Sequence, residues 1–448
     1  MKTFYAILAN SLVASVTNTF VWFAVTFWIY LETKSVIATS VMAGVYTITV
    51  AGSGFFLGSL VDRYDKKRVM VVSSVCSLAL YALAFAVYAS TPPAAFTDAA
   101  SVVLWAFVLL TLFGAIAGNL RAIALSTLVT VLIPEDGRDK ANGMVGTANG
   151  VAFLIASILS GLAIGFVGVY GMLLSAIALT ILVIAHLWMV AIPGQTRTGT
   201  GQAEANRESI DIAGTIRAIN LVPGLFALIL FHTFNNFLGG VFMSLMDAYG
   251  LLLVSVQVWG ALWGFLSLAF IVGGLVVARR GLGRNPLRTL FLGNIVMWTI
   301  CIFFTLRASI ALMAVGMFIW LALIPMVEAA EQTILQKVIS PERQGRVFGF
   351  AQSVEQAASP ITAFLIGPVA QLIFIPFMTT GAGVEVLGPW FGAGTDRGIA
   401  LLFTVSGLIG LLVTLMAMRT YSYRALSAHY ETDSVATPAA PIAGEIAS

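Results

Sequence analysis

Apolar runs long enough to cross a bilayer fill most of this 448-residue sequence. A helix rises 1.5 Å per residue, so about 20 apolar residues span a hydrocarbon core of roughly 30 Å. Twelve such runs occur, at 5–31, 36–60, 69–90, 101–132, 141–166, 169–192, 223–249, 255–278, 288–306, 309–336, 347–376 and 398–419. The runs at 101–132 and 347–376 exceed one span, which predicts tilt or extension past the bilayer. Composition agrees: 59% of residues are hydrophobic and 10% charged, against about a quarter charged in soluble domains. The expected class is an all-α membrane protein of twelve transmembrane helices.

Several functions are excluded at this level. A net charge of +3 is too small to argue for a nucleic-acid partner. Three scattered histidines and no Cys/His cluster imply neither a structural metal nor a cofactor. Cys76 and Cys301 lie in apolar runs of different halves and read as membrane-buried thiols, not a disulfide. The first run is too long for a signal-peptide core and lacks a small-residue cleavage site, so it reads as a retained helix. No phosphate-binding loop or appended soluble domain supports a self-contained ATP-driven pump. No nucleophile–base constellation supports an enzyme.

Lysine and arginine set the expected orientation. With a cytoplasmic N-terminus, 19 of the 23 basic residues fall on the inner side. Lys34, Arg307 and Arg397 alone lie outside, and Arg121 lies within a helix. Both termini are therefore expected in the cytoplasm. The expected domains are an N-terminal six-helix bundle (1–192), a cytoplasmic linker (193–222), a C-terminal six-helix bundle (223–424) and a disordered tail (425–448). The linker opens with Gly194-Gln195-Thr196-Arg197-Thr198-Gly199, a flexible composition. The 377–397 segment reads as a long, glycine-rich outer loop, with Trp390 and Phe391 suited to the membrane interface.

The halves repeat each other. Gly58-Ser59-Leu60-Val61-Asp62-Arg63-Tyr64-Asp65-Lys66-Lys67-Arg68 joins the second and third runs and carries six charges. A degraded echo, Gly274 to Arg284, begins 216 residues later and has Ala278 where the first copy has Asp62. Ile133-Pro134-Glu135 after the fourth run recurs 207 residues on as Ser340-Pro341-Glu342 after the tenth. Two matches at equivalent places in the topology indicate an internal duplication.

These residues resemble the major facilitator superfamily over nearly the whole chain. Gly58, Leu60, Asp62, Arg63 and Lys67 fit that family's loop between helices two and three, of the form G-x-L-x-D-R-x-G-R-K, while Asp65 replaces the second glycine. The run Gln336 to Phe348, with Leu132-Ile133-Pro134-Glu135 and Ala141-Asn142-Gly143, is similar to the subgroup containing the enterobactin exporter and macrolide efflux proteins. The glycine-proline pair that marks drug–proton antiporters in helix five is missing from Ala156 to Gly161; Gly367-Pro368 occurs in helix eleven instead. The resemblance implies two pseudo-symmetric six-helix bundles and a cavity lined by helices one, four, seven and ten. It also implies a gate made of Gly58, Asp62, Arg63, Lys67 and Arg346, with Asp62 against the start of helix eleven. The alternative for that hairpin is a positive-inside loop with no gating role.

An ionised group mid-membrane normally faces a cavity or a partner. Arg121 and Glu328 each lie 13 residues before their respective Pro134 and Pro341, so the duplication maps one onto the other. Glu331 and Gln332 extend Glu328 into one polar stripe. The candidate proton-coupling residues are therefore Glu328, Glu331, Arg121 and Glu355, the last placed about two turns into helix eleven. A static charge pair between the halves is the alternative for Arg121 and Glu328. Asp247 and Glu32 read as solvated residues near outer helix ends. His232 reads as a hydrogen-bonded packing residue with a suitable intrinsic pKa. Candidate substrate contacts are Asn18, Trp22, Asn235, Asn236, Phe237 and Gln332, since amides beside aromatics suit an amphipathic organic molecule. Interhelical hydrogen bonding is the alternative for the asparagines.

The expected function is proton-coupled export of a hydrophobic or amphipathic small molecule, such as a drug or siderophore-like metabolite, by a monomer in the cell inner membrane. Uptake or uniport on the same fold is the first alternative, and a non-transporting receptor or scaffold the second.

Overall fold

The computed structural model describes residues 2–133, 138–191, 216–217, 219–283, 285–339 and 341–436. Within helices, side chains are described except at 51, 53–60, 62–63, 119, 126–127, 130–131, 138–140, 142–143, 146, 278, 336, 341–346, 348–349, 352 and 429–436. Among the described residues no strand occurs. In the described residues twelve long helices follow the twelve apolar runs: α1 Lys2–Thr33, α2 Val36–Arg63, α3 Lys66–Ser90, α4 Val102–Leu132, α5 Arg138–Phe166 and α6 Gly168–Met189, then α7 Leu225–Leu253, α8 Val256–Arg280, α9 Pro286–Phe303, α10 Ile310–Val338, α11 Pro341–Val369 and α12 Thr395–Arg419. Eleven are long and apolar enough to cross a membrane; the described apolar part of α2 is the shorter Val36–Val50.

Backbone groups in lipid must be satisfied within the helix, and helix ends need side-chain caps. The connections supply them. Asp65 accepts from the Arg68 N–H at 2.9 Å to start α3. Asn285, followed by Pro286, accepts from the Arg288 N–H at 3.0 Å to start α9. Gly168 turns α5 directly into α6 with φ +63°, a conformation that favours glycine.

Each half has its own aromatic core. Phe20, Trp28, Phe107 and Met172 pack in the first, and Phe242, Trp259, Trp298 and Phe403 in the second. Leu83, Ile181, Ile271 and Leu372 are exposed on the flanks, as lipid-facing positions require. Both cysteines are free: Cys301 is buried, whereas Cys76 lies on the surface of the bundle.

The halves meet along two seams at the end of the molecule that carries Lys34. In the first, a Cβ on Gly161 of α5 would lie 2.4 Å from the Val256 carbonyl oxygen, and one on Gly260 of α8 would lie 2.5 Å from that of Ser157. Only glycine lets these backbones approach so closely. In the second, Gly367 of α11 packs on Ser40 of α2, Phe364 covers Gly44, and the Val36 N–H donates to Gln371 Oε1 at 3.3 Å. Phe23 and Phe153 of the first half add ring contacts to Trp263 of the second. At the opposite, hairpin end, Asn149, Glu328 and Gln332 are exposed roughly 9–17 Å along their helices from that end. Polar side chains at that depth mark a wetted vestibule between the halves and not a lipid face.

Three expectations change. The stretch from 425, expected to lack order, continues a further helix, α13 (Tyr421–Ala436), with Leu426 buried beside Ile219, Val222 and Leu225. Hydrophobic burial at that end of the bundle holds it; residues 437–448 lie outside the description, as does most of the expected linker. The 377–397 segment is not an open loop. α11 continues through a π-helical turn, Ala370–Phe374, into Ile375–Thr379, and two short helices follow at Ala382–Val386 and Gly388–Phe391. Phe391 is buried, with the Arg397 guanidinium 5.5 Å from its ring centroid, while Trp390 remains exposed.

Candidate functional site

The second half gathers three titratable side chains from three helices. His232 of α7 and Glu331 of α10 each stand seven residues, roughly 10 Å, from the hairpin ends of their helices. Their equal depth lets them meet: Nδ1 of His232 lies 2.9 Å from Oε2 of Glu331. Both are buried, at 7% and 5% exposure. Glu355 of α11 completes the group, with one donor atom from each of the three within 4.8 Å of the others. Nε2 of His232, Oε1 of Glu331 and Oε1 of Glu355 are buried without a hydrogen-bond partner. One imidazole and two carboxylates thus share a single buried site. The same donors, one nitrogen and two oxygens, are of the kind that protons or a divalent cation can occupy.

Glu328 lies one turn from Glu331 on α10 and is exposed to the vestibule. Gln332 is exposed beside it. Glu355 lies 14 residues, about four turns, into α11 and not two, because the helix begins at Pro341 and not at 347.

Arg121 does not join this cluster. It forms no ion pair with Glu328, either as tuning partner or as static bridge. Buried at 3% exposure in the first half, it donates from Nη1 to Ser74 Oγ at 2.9 Å and from Nη2 to Asn10 Oδ1. Asn10 in turn donates to the Val183 carbonyl at 2.9 Å and contacts Nδ1 of His186 at 3.0 Å. Pseudo-symmetry gives Arg121 and Glu328 equivalent positions in their halves, and equivalence of position does not bring them into contact.

The candidate substrate contacts divide. Asn18 accepts from the Tyr81 hydroxyl at 2.9 Å and lines two small cavities beside Arg121. Trp22 stacks on Tyr46 with ring centroids 3.9 Å apart. Asn235 is committed to packing: it donates to the Phe231 carbonyl at 2.8 Å and accepts from Trp298 Nε1 at 2.7 Å. Asn236 donates to the Glu355 carbonyl at 3.4 Å, tying α7 to α11 beside the titratable group. Phe237 is half-buried against the core of the second half.

Asp247 is not solvated as expected; its Oδ1 accepts from the indoles of both Trp259 and Trp263, each at 2.9 Å. Glu32 is exposed and accepts from Trp28 Nε1 at 3.1 Å. Of the expected gate, Lys67 donates to the Val190 and Trp188 carbonyls at 2.7 and 3.3 Å, where a cation suits the end of α6. The side chains of Gly58, Asp62, Arg63 and Arg346 lie outside the described residues.

Residues 7–363 match the family model of the Major Facilitator Superfamily. The chain belongs to that superfamily. Among Major Facilitator relatives, it is 23% identical over 388 residues to macrolide efflux protein A of Streptococcus pyogenes, covering 81% of this chain and 88% of that one. Among solved structures, it resembles a bacterial homologue of the human lysosomal transporter Spinster in an inward-facing, unoccupied conformation. That likeness has a TM-score of 0.65 at 14% identity and covers 96% of this chain and 98% of the other. A D-xylose–proton symporter matches with a TM-score of 0.64 at 13% identity, over 94% and 99% of the two chains. At these identities the structures share the fold alone: this is a multi-pass membrane transporter of the Major Facilitator type.

His232 is the functional candidate that sequence reading undervalued. Its spacing to Asn235 and Asn236, three and four residues on, places all three on one face of α7 and is the available signal.

Proposed function

We propose that this protein exports a hydrophobic or amphipathic small molecule by proton-coupled alternating access, with His232, Glu331 and Glu355 carrying the protons. The observation behind the reading is their cluster. Its two best-buried members have unpartnered polar atoms, and it adjoins a vestibule marked by exposed Glu328 and Gln332. A buried charge that must change exposure during transport crosses most cheaply as a neutral group, and protonation supplies that neutrality. Opening and closing the vestibule would then change whether the cluster meets water and releases its protons.

The basic-residue bias supports a cytoplasmic hairpin end and cytoplasmic termini in a bacterial inner membrane, which makes the present arrangement inward-open. The stacked Trp22–Tyr46 pair, half-buried Phe237 and exposed Gln332 supply apolar area with a few polar groups, as an amphipathic cargo needs. Export is favoured by the similarity to macrolide efflux protein A. The missing glycine-proline pair in α5 keeps uptake as the second reading.

Purified protein in liposomes, given a fluorescent amphiphile and an imposed pH gradient, tests this. Movement of cargo opposite to proton flow is expected. Glu331→Gln and Glu355→Gln should each lower gradient-driven transport by about tenfold or more, as for loss of a proton-transferring group, while downhill exchange persists. Unchanged gradient-driven transport in both variants would overturn the coupling role, and cargo moving together with protons would establish uptake.

A further inference from the structure

The first half holds a second buried charge, and the coupling cluster leaves it unexplained. Arg121 stays protonated in any protein setting, and the residue is buried with no carboxylate beside it among the described residues. Its two bonded neighbours, Asn10 and Ser74, are neutral acceptors. They satisfy geometry and bring no negative charge, so burial is left uncompensated electrostatically.

Two cavities meet at this residue, and Arg121, Asn18 and Gly118 line both. Thr17, Ser73, Ser77 and Thr180 also line the first, their hydroxyls donating to backbone carbonyls, while Ser11, Ser15 and Asn149 line the second. No acidic side chain is among the described lining residues. Two donors at the second cavity are buried and unpartnered, Nε of Arg121 and Oγ of Ser11. A permanent cation whose own Nε and a neighbouring serine hydroxyl remain unused donors is the chemistry of an anion site.

Size narrows the ligand. The cavities have volumes of about 10 and 30 Å³, room for one small ion or the end of a carboxylate and not for a ring system. The second reaches Asn149, an exposed residue of α5, which gives it a mouth toward the vestibule. Gly118 preserves the space: a Cβ there would lie 1.8 Å from Asn18 Nδ2.

We propose that Arg121, Ser11 and Asn18 form a binding site for a small monovalent anion, either an inorganic halide or the carboxylate of the cargo. The halide source stands independently of the proposed export. The cargo carboxylate rests on it and would define the substrates as acidic amphiphiles.

The full chain in nanodiscs is titrated with sodium chloride, and separately with sodium benzoate, each balanced with sodium isethionate to constant ionic strength, following thermal unfolding. Binding to the folded state raises the midpoint saturably. Chloride or benzoate should produce that rise, with no gradient or transport required. Arg121→Gln should abolish it, and Ser11→Ala should weaken the half-saturating concentration about tenfold, as for one lost bond to a charged group. A rise with chloride alone identifies a halide site; a rise with benzoate that is larger than chloride's and not additive with it identifies a carboxylate site. The same response in wild type, Arg121→Gln and Ser11→Ala, or no response to either anion in wild type, overturns the proposal. Ser11→Ala keeps the test valid if the arginine variant fails to fold. Failure here would leave proton coupling at Glu331 untouched, because the assay contains no proton gradient.

Discussion

Asn235 and His232 stand one turn apart on α7 and do opposite things. Asn235 spends both ends of its amide on packing, one of them as the acceptor for Trp298 Nε1. Asn235→Leu should therefore leave a buried indole N–H unpaired and lower stability by about 1–3 kcal/mol. Thermal unfolding would record that loss, and the pH profile of transport should stay in place; a shifted profile would give Asn235 a part in coupling. His232 keeps Nε2 free and points Nδ1 at Glu331. The carboxylates were legible from sequence, because a charge inside an apolar run is conspicuous. Their partner was not, since 99 residues separate His232 from Glu331, and they meet only because α7 packs on α11 and the two side chains reach across to each other. Arg121 shows the converse limit. Its depth was legible from the repeat, but its partners come from α1 and α3 of its own half. Asp247 was misread because nearness to a helix end does not imply water when two tryptophans cover the end.

At the level of elements, continuous apolar runs translate into helices because lipid leaves the backbone few other ways to be satisfied. Their contacts depend on small residues that composition alone leaves ambiguous. Gly161 and Gly260 turn out to define the α5–α8 seam, and Gly44 and Gly367 the α2–α11 seam. α11 carries Pro360 and Pro368 and then a π-helical turn, so its pairing with α2 runs through a helix of irregular ladder. Apolar periodicity has no mark for such a turn, which is why the segment beyond 376 read as a loop. Gly161→Val tests the seam. Its side chain would meet the Val256 backbone at 2.4 Å, and backbone cannot move aside as a flexible side chain can. The variant should fold, because each half keeps its own core, but should fail to close the Lys34 end. Loss of transport with unfolding close to wild type is the expected result; normal transport would show that the seam yields.

The whole molecule must exchange these seams for contacts at the hairpin end if it alternates, and the balance between the two sets decides which state rests. The family resemblance puts Asp62 against the start of α11 in the alternate state, where a helix N-terminus attracts a carboxylate by roughly 0.3–1 kcal/mol at exposed sites. Removing that charge weakens only the alternate state, so a contribution of about 1 kcal/mol becomes a roughly fivefold population shift toward the present one. Position 278 offers no acid to the second copy of the hairpin, so Ala278→Val should leave the balance where it is. The exposed Gln332 provides the reporter. In a Cys76→Ser, Cys301→Ser background, Gln332→Cys is open to a water-soluble maleimide whenever the vestibule is open. Asp62→Asn should raise its labelling rate, and Gly161→Val, which weakens the opposite seam, should lower it. Opposite displacements from two substitutions at opposite ends would establish that both act on one equilibrium. Equal labelling in all variants would mean that the hairpin sets topology alone.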